Sequence, residues 1–238
     1  AGYGKTSLIS QFIEDNELCC AWYQITPDDD TIFPFLRHFI YSIQQQFPSF
    51  GQGLDGWDMD LKFLNSEALL QLTKQLVNEL YKISKPFIIV LEDYHHISHV
   101  FSINYVLNQL LHFLPKSVHI IVTTRKMPEW DCLLSLRMNN QLIECLEHEF
   151  VFKKEDIQYL FEAHFERALT DEECDFVMQM TEGWAIAVVL LAYQSKYSEQ
   201  KIAEIAERSA ANFSAYLSAE VFEKLDSTFQ QDLLKLGI

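Results

Sequence analysis

Apolar residues over the first 150 positions fall by turns into helical and strand-like spacings, the alternation that builds a parallel sheet with crossover helices. Leu8, Ile9, Phe12 and Ile13 recur at helical spacing between Ser7 and Glu14. Cys20 to Ile25 reads as a strand and Pro27 to Asp30 as a loop. A helix is expected from Ile32 to Phe47, with Phe33, Leu36, Phe39, Ile40 and Ile43 on one face. Pro48 to Asn65, which holds Gly51, Gly53 and Gly56, reads as a long surface connection. The next helix, Ser66 to Ser84, opens on the capping pair Ser66 and Glu67 and should bury Leu69, Leu70, Leu72, Leu76 and Leu80. Phe87 to Leu91 is an unbroken apolar run, as a strand covered on both faces reads, and it ends on Glu92 and Asp93. A helix near Ile103 to Leu114 and a strand from Val118 to Arg125 follow, and Gln141 to Leu146 is the candidate for one further strand. From about Lys153 the pattern is helical throughout, which places a boundary near 150 and predicts an α/β unit followed by helices.

Composition narrows the functions available. The chain has 238 residues, 18 basic and 34 acidic side chains, a formal net charge of −16 and a pI near 4.8. The acidity is spread over both parts of the chain, which argues against nucleic-acid or anionic-membrane binding by this piece. Cys19, Cys20, Cys132, Cys145 and Cys174 form no C-x-x-C pair, so they read as reduced thiols of a cytoplasmic protein. His95, His96 and His99 cluster after the apolar run, where a turn suits them better than a ligand set. No stretch reaches the roughly 18 to 20 apolar residues of a membrane span.

Chemistry enters at the first residues. Ala1-Gly2-Tyr3-Gly4-Lys5-Thr6 holds the end of the phosphate-loop pattern G-x-x-x-x-G-K-[ST], in which Gly4 allows close backbone approach, Lys5 reaches the β and γ phosphates, and Thr6 offers a hydroxyl to Mg²⁺. The phosphates would then lie at a helix N-terminus, where free N–H groups and the helix dipole favour anions. Glu92 and Asp93 close a buried strand as a Walker B pair does. On this reading the first glycine of the loop and the strand that feeds it precede residue 1. The chain is then a fragment cut through its own site, and it is expected to be poorly stable alone because two strands lose a shared ladder partner. The strand from Val118 delivers Thr124 and Arg125 to the carboxyl edge of the sheet, and either could sense the γ phosphate.

These residues, taken in order, resemble the MalT-like branch of the STAND NTPases, bacterial transcriptional regulators of the LuxR type. The resemblance is carried by Gly2-Tyr3-Gly4-Lys5-Thr6, by Leu91-Glu92-Asp93-Tyr94-His95, by Leu114-Pro115 before the strand that ends in Arg125, and by Thr181-Glu182-Gly183-Trp184. It extends to Tyr216-Leu217-Ser218-Ala219-Glu220-Val221, which is similar to the segment that leads into the family's winged-helix domain. It implies a P-loop NTPase core over 1–150 that lacks its first strand, a helical domain over 151–208 and the beginning of a winged-helix domain over 209–238. It further implies a switch that binds ATP or ADP with Mg²⁺ and self-associates on activation, with inducer and DNA bound by domains beyond this piece.

Carried over residue by residue, the resemblance makes Gly2, Gly4, Lys5 and Thr6 the phosphate contacts. Thr6, Glu92 and Asp93 become the Mg²⁺ contacts, Glu92 or Asp93 orients the attacking water, and Arg125 is the nucleotide-sensing arginine. Gly183 and Trp184 fall where the family has Gly-Trp-Pro near the adenine, but Ala185 replaces the proline. Trp184 reads equally as a core aromatic on the helix that continues through Val188 and Leu191. Three functions stay open at this point: a regulatory ATPase switch with slow turnover, a P-loop ATPase with a mechanical or transport role, and an interaction module with a degenerate nucleotide site.

Overall fold

The structure, a computed structural model, describes residues 2–54, 65–196 and 202–204. It divides into two compact units: Thr6–Glu144, and Ala1–Lys5 together with the chain from Cys145 onward.

The first unit is α/β, with helices packed on a parallel sheet whose described strands are β1 (Cys20–Gln24), β2 (Phe87–Glu92) and β3 (Val118–Val122), in the order β1-β2-β3. The register sets Ala21 beside Ile89 and Gln24 beside Glu92, and Ile89 beside Ile120. All six residues of the central strand are buried, as its unbroken apolar run requires. Ala21, Tyr23 and Ile25 of the β1 segment join Phe87, Ile89 and Leu91 in one core with α2 (Ile32–Gln44), α3 (Ser66–Tyr81) and α4 (Phe101–His112). Burial of this kind supplies about 1.5–3 kcal/mol for each large apolar side chain. α1 (Lys5–Asp15) carries its apolar stripe without a fully buried residue, and Leu8 and Phe12 are exposed.

Several elements differ from the sequence expectation. α2 ends at Gln44, three residues early, and buries Ile32, Phe35, Leu36, Phe39 and Ile43, whereas Phe33 is exposed. The helix face is rotated because Phe35, not Phe33, stacks on Phe39 and packs on Tyr23. α3 begins at Ser66, but its cap is Asn65, whose side-chain oxygen accepts from the Ala68 N–H at 2.9 Å. β3 stops at Val122 because the next two hydroxyls leave the strand pattern: Thr123 Oγ1 accepts from Asp93 N–H at 2.9 Å and Thr124 Oγ1 donates to the Lys126 carbonyl at 2.8 Å. Gln141–Leu146 forms no strand; it follows the short helix α5 (Cys132–Met138) as irregular chain. Ile143 within it is 91% exposed, so its apolar residues have no sheet face to bury.

The second unit's described part is helical: α6 (Lys154–Phe165), α7 (Asp171–Thr181) and α8 (Ala185–Ser195). Ile157, Phe161, Cys174, Val177, Val188 and Leu191 form its core. A reciprocal capping box starts α7, with Thr170 Oγ1 accepting from Glu173 N–H and Glu173 accepting from Thr170 N–H. The winged-helix expectation over 209–238 lies outside the described residues. No helix among the described residues is long and apolar enough to cross a membrane.

Candidate functional site

The residues that the sequence singles out meet first at the end of the central strand. Thr6, in the first turn of α1, donates its hydroxyl to Oε1 of Glu92, which is 86 residues away in the chain. The second oxygen, Oε2, accepts the indole N–H of Trp22 at 2.9 Å. Glu92 is itself 6% exposed, so both carboxylate oxygens meet donors where water is scarce and a charged group needs partners.

Asp93 differs in every respect. It leaves the strand in the left-handed region, at φ 58°, and caps the short turn Tyr94–His96. Its backbone N–H donates to Thr123 Oγ1, and Tyr94 N–H donates to the Thr123 carbonyl, both at 2.9 Å. Tyr94 is fully buried, while the Asp93 side chain is 42% exposed and lies 3.7 Å from His95 Nδ1. The turn thus sends one acidic side chain inward and the next toward solvent. The rings of His95 and His96 lie against one another in this turn, tilted by 33° with centroids 4.2 Å apart, and the turn is where the sequence placed them.

Arg125 is exposed just past β3 and makes no ion pair with Glu92 or Asp93. Thr124 is committed to its local turn with Lys126.

The remaining candidates lie in the second unit. Gly2, Gly4 and Gly183 all adopt positive φ, at 73°, 74° and 73°. Gly2 accepts the Ile186 N–H at 3.0 Å, and Tyr3 meets Trp184 with ring centroids 6.5 Å apart. The Tyr3 phenol is pushed up to about 12, chiefly because it donates to the Glu147 carboxylate, with burial adding to the effect. Gly183 follows Glu182, also left-handed, and lies against the backbone of Phe152, whose N–H donates to the Gly183 carbonyl at 2.9 Å. Gly4 stands in open space: apart from its chain neighbours Tyr3 and Lys5, no described residue comes within 4 Å of where a Cβ would be. Lys5 begins α1, so the Gly-Lys-Thr triplet opens a helix of 11 residues.

Thr6 and Glu92 bring a hydroxyl and a carboxylate together, hard oxygen donors of the kind that Mg²⁺ takes alongside several waters, whereas the Asp93 side chain turns away from them toward His95 and solvent. Among the described residues no group of three or more His, Cys, Asp or Glu side chains gathers in a way that could hold a metal ion by itself.

Sequence reasoning missed Trp22, Thr123 and Glu147. The alternation of β1 puts Trp22 and Gln24 on one face, but only the register, with Gln24 beside Glu92, shows which carboxylate the indole reaches.

No family model matches the chain. Over its whole length it is 28% identical to the HTH-type transcriptional regulator MalT of Yersinia pestis (strain Pestoides F) and to that of Yersinia pseudotuberculosis serotype O:1b (strain IP 31758). The MalT of Yersinia enterocolitica serotype O:8 is 27% identical over the same span. The chain is similar to MalT along its whole length. It spans about a quarter, 26%, of the length of these MalT relatives.

Proposed function

We propose that this chain is the ATP-binding switch module of a signal-responsive, MalT-like transcriptional regulator of the cytoplasm. One observation carries the reading: the threonine of a Gly-Lys-Thr triplet, in the first turn of a helix, is hydrogen-bonded to the buried carboxylate that ends the central strand. Two sequence motifs far apart in the chain are thereby joined where a P-loop NTPase binds Mg²⁺ and phosphate.

In this reading Gly2, Gly4 and Lys5 hold the phosphates, and Thr6 with Glu92 and Asp93 holds Mg²⁺, whose charge offsets that of the phosphates. Asp93, exposed and turned from the core, is available to orient water. Arg125, at the carboxyl edge of the sheet, distinguishes triphosphate from diphosphate. Gly183 and Trp184 contact the base. Hydrolysis is slow and resets a conformational equilibrium, because a switch needs the two nucleotide states to be bound differently, not rapid turnover. Self-association on activation, an inducer and DNA belong to the whole regulator.

Calorimetric titration of Mg-ATP and Mg-ADP tests this. Saturable binding is expected, and it should be abolished by Lys5→Ala and retained, without turnover, in Glu92→Gln. Intact affinity in a folded Lys5→Ala protein would refute the site.

A further inference from the structure

We propose that Trp22 is a positioning residue of this nucleotide site, holding the Glu92 carboxylate in the orientation that couples Mg²⁺ to nucleotide binding. The inference rests on the nucleotide-site reading above.

A glutamate has one more rotatable bond than an aspartate and, when buried, loses more rotamer freedom on being fixed. Something must therefore hold its carboxylate plane if the group is to present a defined oxygen to a cation. At Glu92 the two oxygens are treated differently. Oε2 accepts from a rigid indole N–H at 2.9 Å, while Oε1 accepts from the rotatable hydroxyl of Thr6. An indole nitrogen can only donate, so it can neither leave its partner for a cation nor compete for one. A threonine hydroxyl is both donor and acceptor and can turn its oxygen to a metal. The Trp22 side therefore acts as the fixed anchor, and the Thr6 side as the exchangeable face.

The backbone supports this arrangement. Gln24 pairs with Glu92 in the parallel ladder and Trp22 pairs with Val90, so the indole stands one step back along the same face. Ala21 and Tyr23 point to the opposite, helix-covered face and are buried there with Ile89 and Leu91. Trp22 itself is only half-buried, and it is absent from the apolar core that its neighbours build. Its polar edge is the part that reaches Glu92, at 2.9 Å from Oε2. Outer-shell partners of this kind commonly change metal affinity by about ten- to a hundredfold when removed.

The test is a Mg²⁺ titration of nucleotide binding, read by calorimetry and by a fluorescent ATP analogue, in the unsubstituted protein and in two variants. Trp22→Phe keeps an aromatic ring without the donor, and replacement of Trp22 by 3-benzothienylalanine keeps the bicyclic shape while exchanging N–H for sulfur. Both should raise the Mg²⁺ concentration for half-maximal binding by about tenfold, with ATP binding in EDTA held within about twofold. In the Glu92→Gln background the same replacements should add little, because the charge they orient is gone. An unchanged Mg²⁺ requirement in the benzothienyl protein overturns the proposal, as does an equal loss of binding with and without Mg²⁺. If the unsubstituted protein binds no nucleotide in either condition, the nucleotide-site reading itself falls, a result distinct from a bound nucleotide whose Mg²⁺ dependence ignores Trp22.

Discussion

Gly2, Gly4 and Gly183 share almost the same backbone conformation, yet their surroundings predict different costs for a methyl group. At φ between 73° and 74° an L-residue is strained, by roughly 1–2 kcal/mol. For Gly4→Ala that is the whole penalty, because beyond its chain neighbours no described residue lies within 4 Å of the new Cβ. For Gly2→Ala the Cβ would come to 2.6 Å from Ile186 Cγ2 and 3.1 Å from Ile186 Cβ and Trp184 Nε1, so both side chains must shift at a further cost. For Gly183→Ala it would come to 2.3 Å from the Phe152 carbonyl oxygen, which is backbone and cannot rotate. Relief requires the two segments to separate, which also breaks the Phe152 N–H to Gly183 carbonyl bond, worth about 1 kcal/mol. Gly183→Ala should therefore cost about 3 kcal/mol or more and Gly4→Ala about 1–2 kcal/mol, with Gly2→Ala between them. Urea denaturation without nucleotide, followed by helical circular dichroism, gives the three values from midpoints at constant slope. Val151→Ala should not rescue Gly183→Ala, since the closest clash is with backbone. A Gly183→Ala protein within about 0.5 kcal/mol of Gly4→Ala would refute the reasoning.

Two further predictions concern titration. Burial works to raise the Asp29 carboxyl, which is 1% exposed, but Thr26 N–H at 2.8 Å and the His38 ring at 2.6 Å outweigh it and hold the group below the ordinary carboxylate range. A depressed folded value contributes stability that is complete above the unfolded value of about 3.9 and is lost as pH falls through the folded value. The stability gap between the unsubstituted protein and Asp29→Asn should thus close as pH falls below that value; a gap that widens there in paired urea melts contradicts this. In the second case Glu147→Ala removes the acceptor and the charge that hold the Tyr3 phenol near 12, so Tyr3 should fall toward the ordinary value of about 10. A ¹³Cζ-tyrosine NMR titration reads it, and an unmoved Tyr3 would show that Glu147 is not the cause.

Much of the sheet was legible because buried parallel strands announce themselves: Phe87 to Glu92 is apolar at every position before its closing carboxylate, and all six residues are buried. Helix existence was legible from period, but helix rotation was not, since Phe33 and Phe35 both fit a face and only packing against Tyr23 decides for Phe35. The error at Gln141–Leu146 has a similar origin. A short, largely apolar stretch such as Gln-Leu-Ile-Glu-Cys-Leu forms a strand only where a partner edge exists, and partner edges are not written in a local window. At the site, the spacing of Gly4-Lys5-Thr6 and the end of an apolar run pointed to Thr6 and Glu92, and the fold joins them. Trp22 was not found because its role depends on strand register, a long-range property.

The two adjacent acidic residues show how a fold separates chemically similar groups. Glu92 is the last residue of the strand, so its side chain keeps the strand's alternation and is buried with two donors. Asp93 is turned out by a left-handed backbone that Thr123 holds at two points, one through its hydroxyl and one through its carbonyl. Aspartate is among the few residues other than glycine that accept this conformation at small cost, so the sequence order Glu-Asp matches the backbone order of extended then left-handed. Reversing the order would put the shorter side chain where Trp22 and Thr6 must be reached, and a glutamate where the backbone is strained. The pair is therefore not two copies of one function. A buried, doubly hydrogen-bonded carboxylate is fixed in place and suits a structural part in holding a cation, whereas the half-exposed neighbour keeps the freedom to exchange partners with water. That difference follows from the strand's end and the turn after it, whatever ligand the site holds.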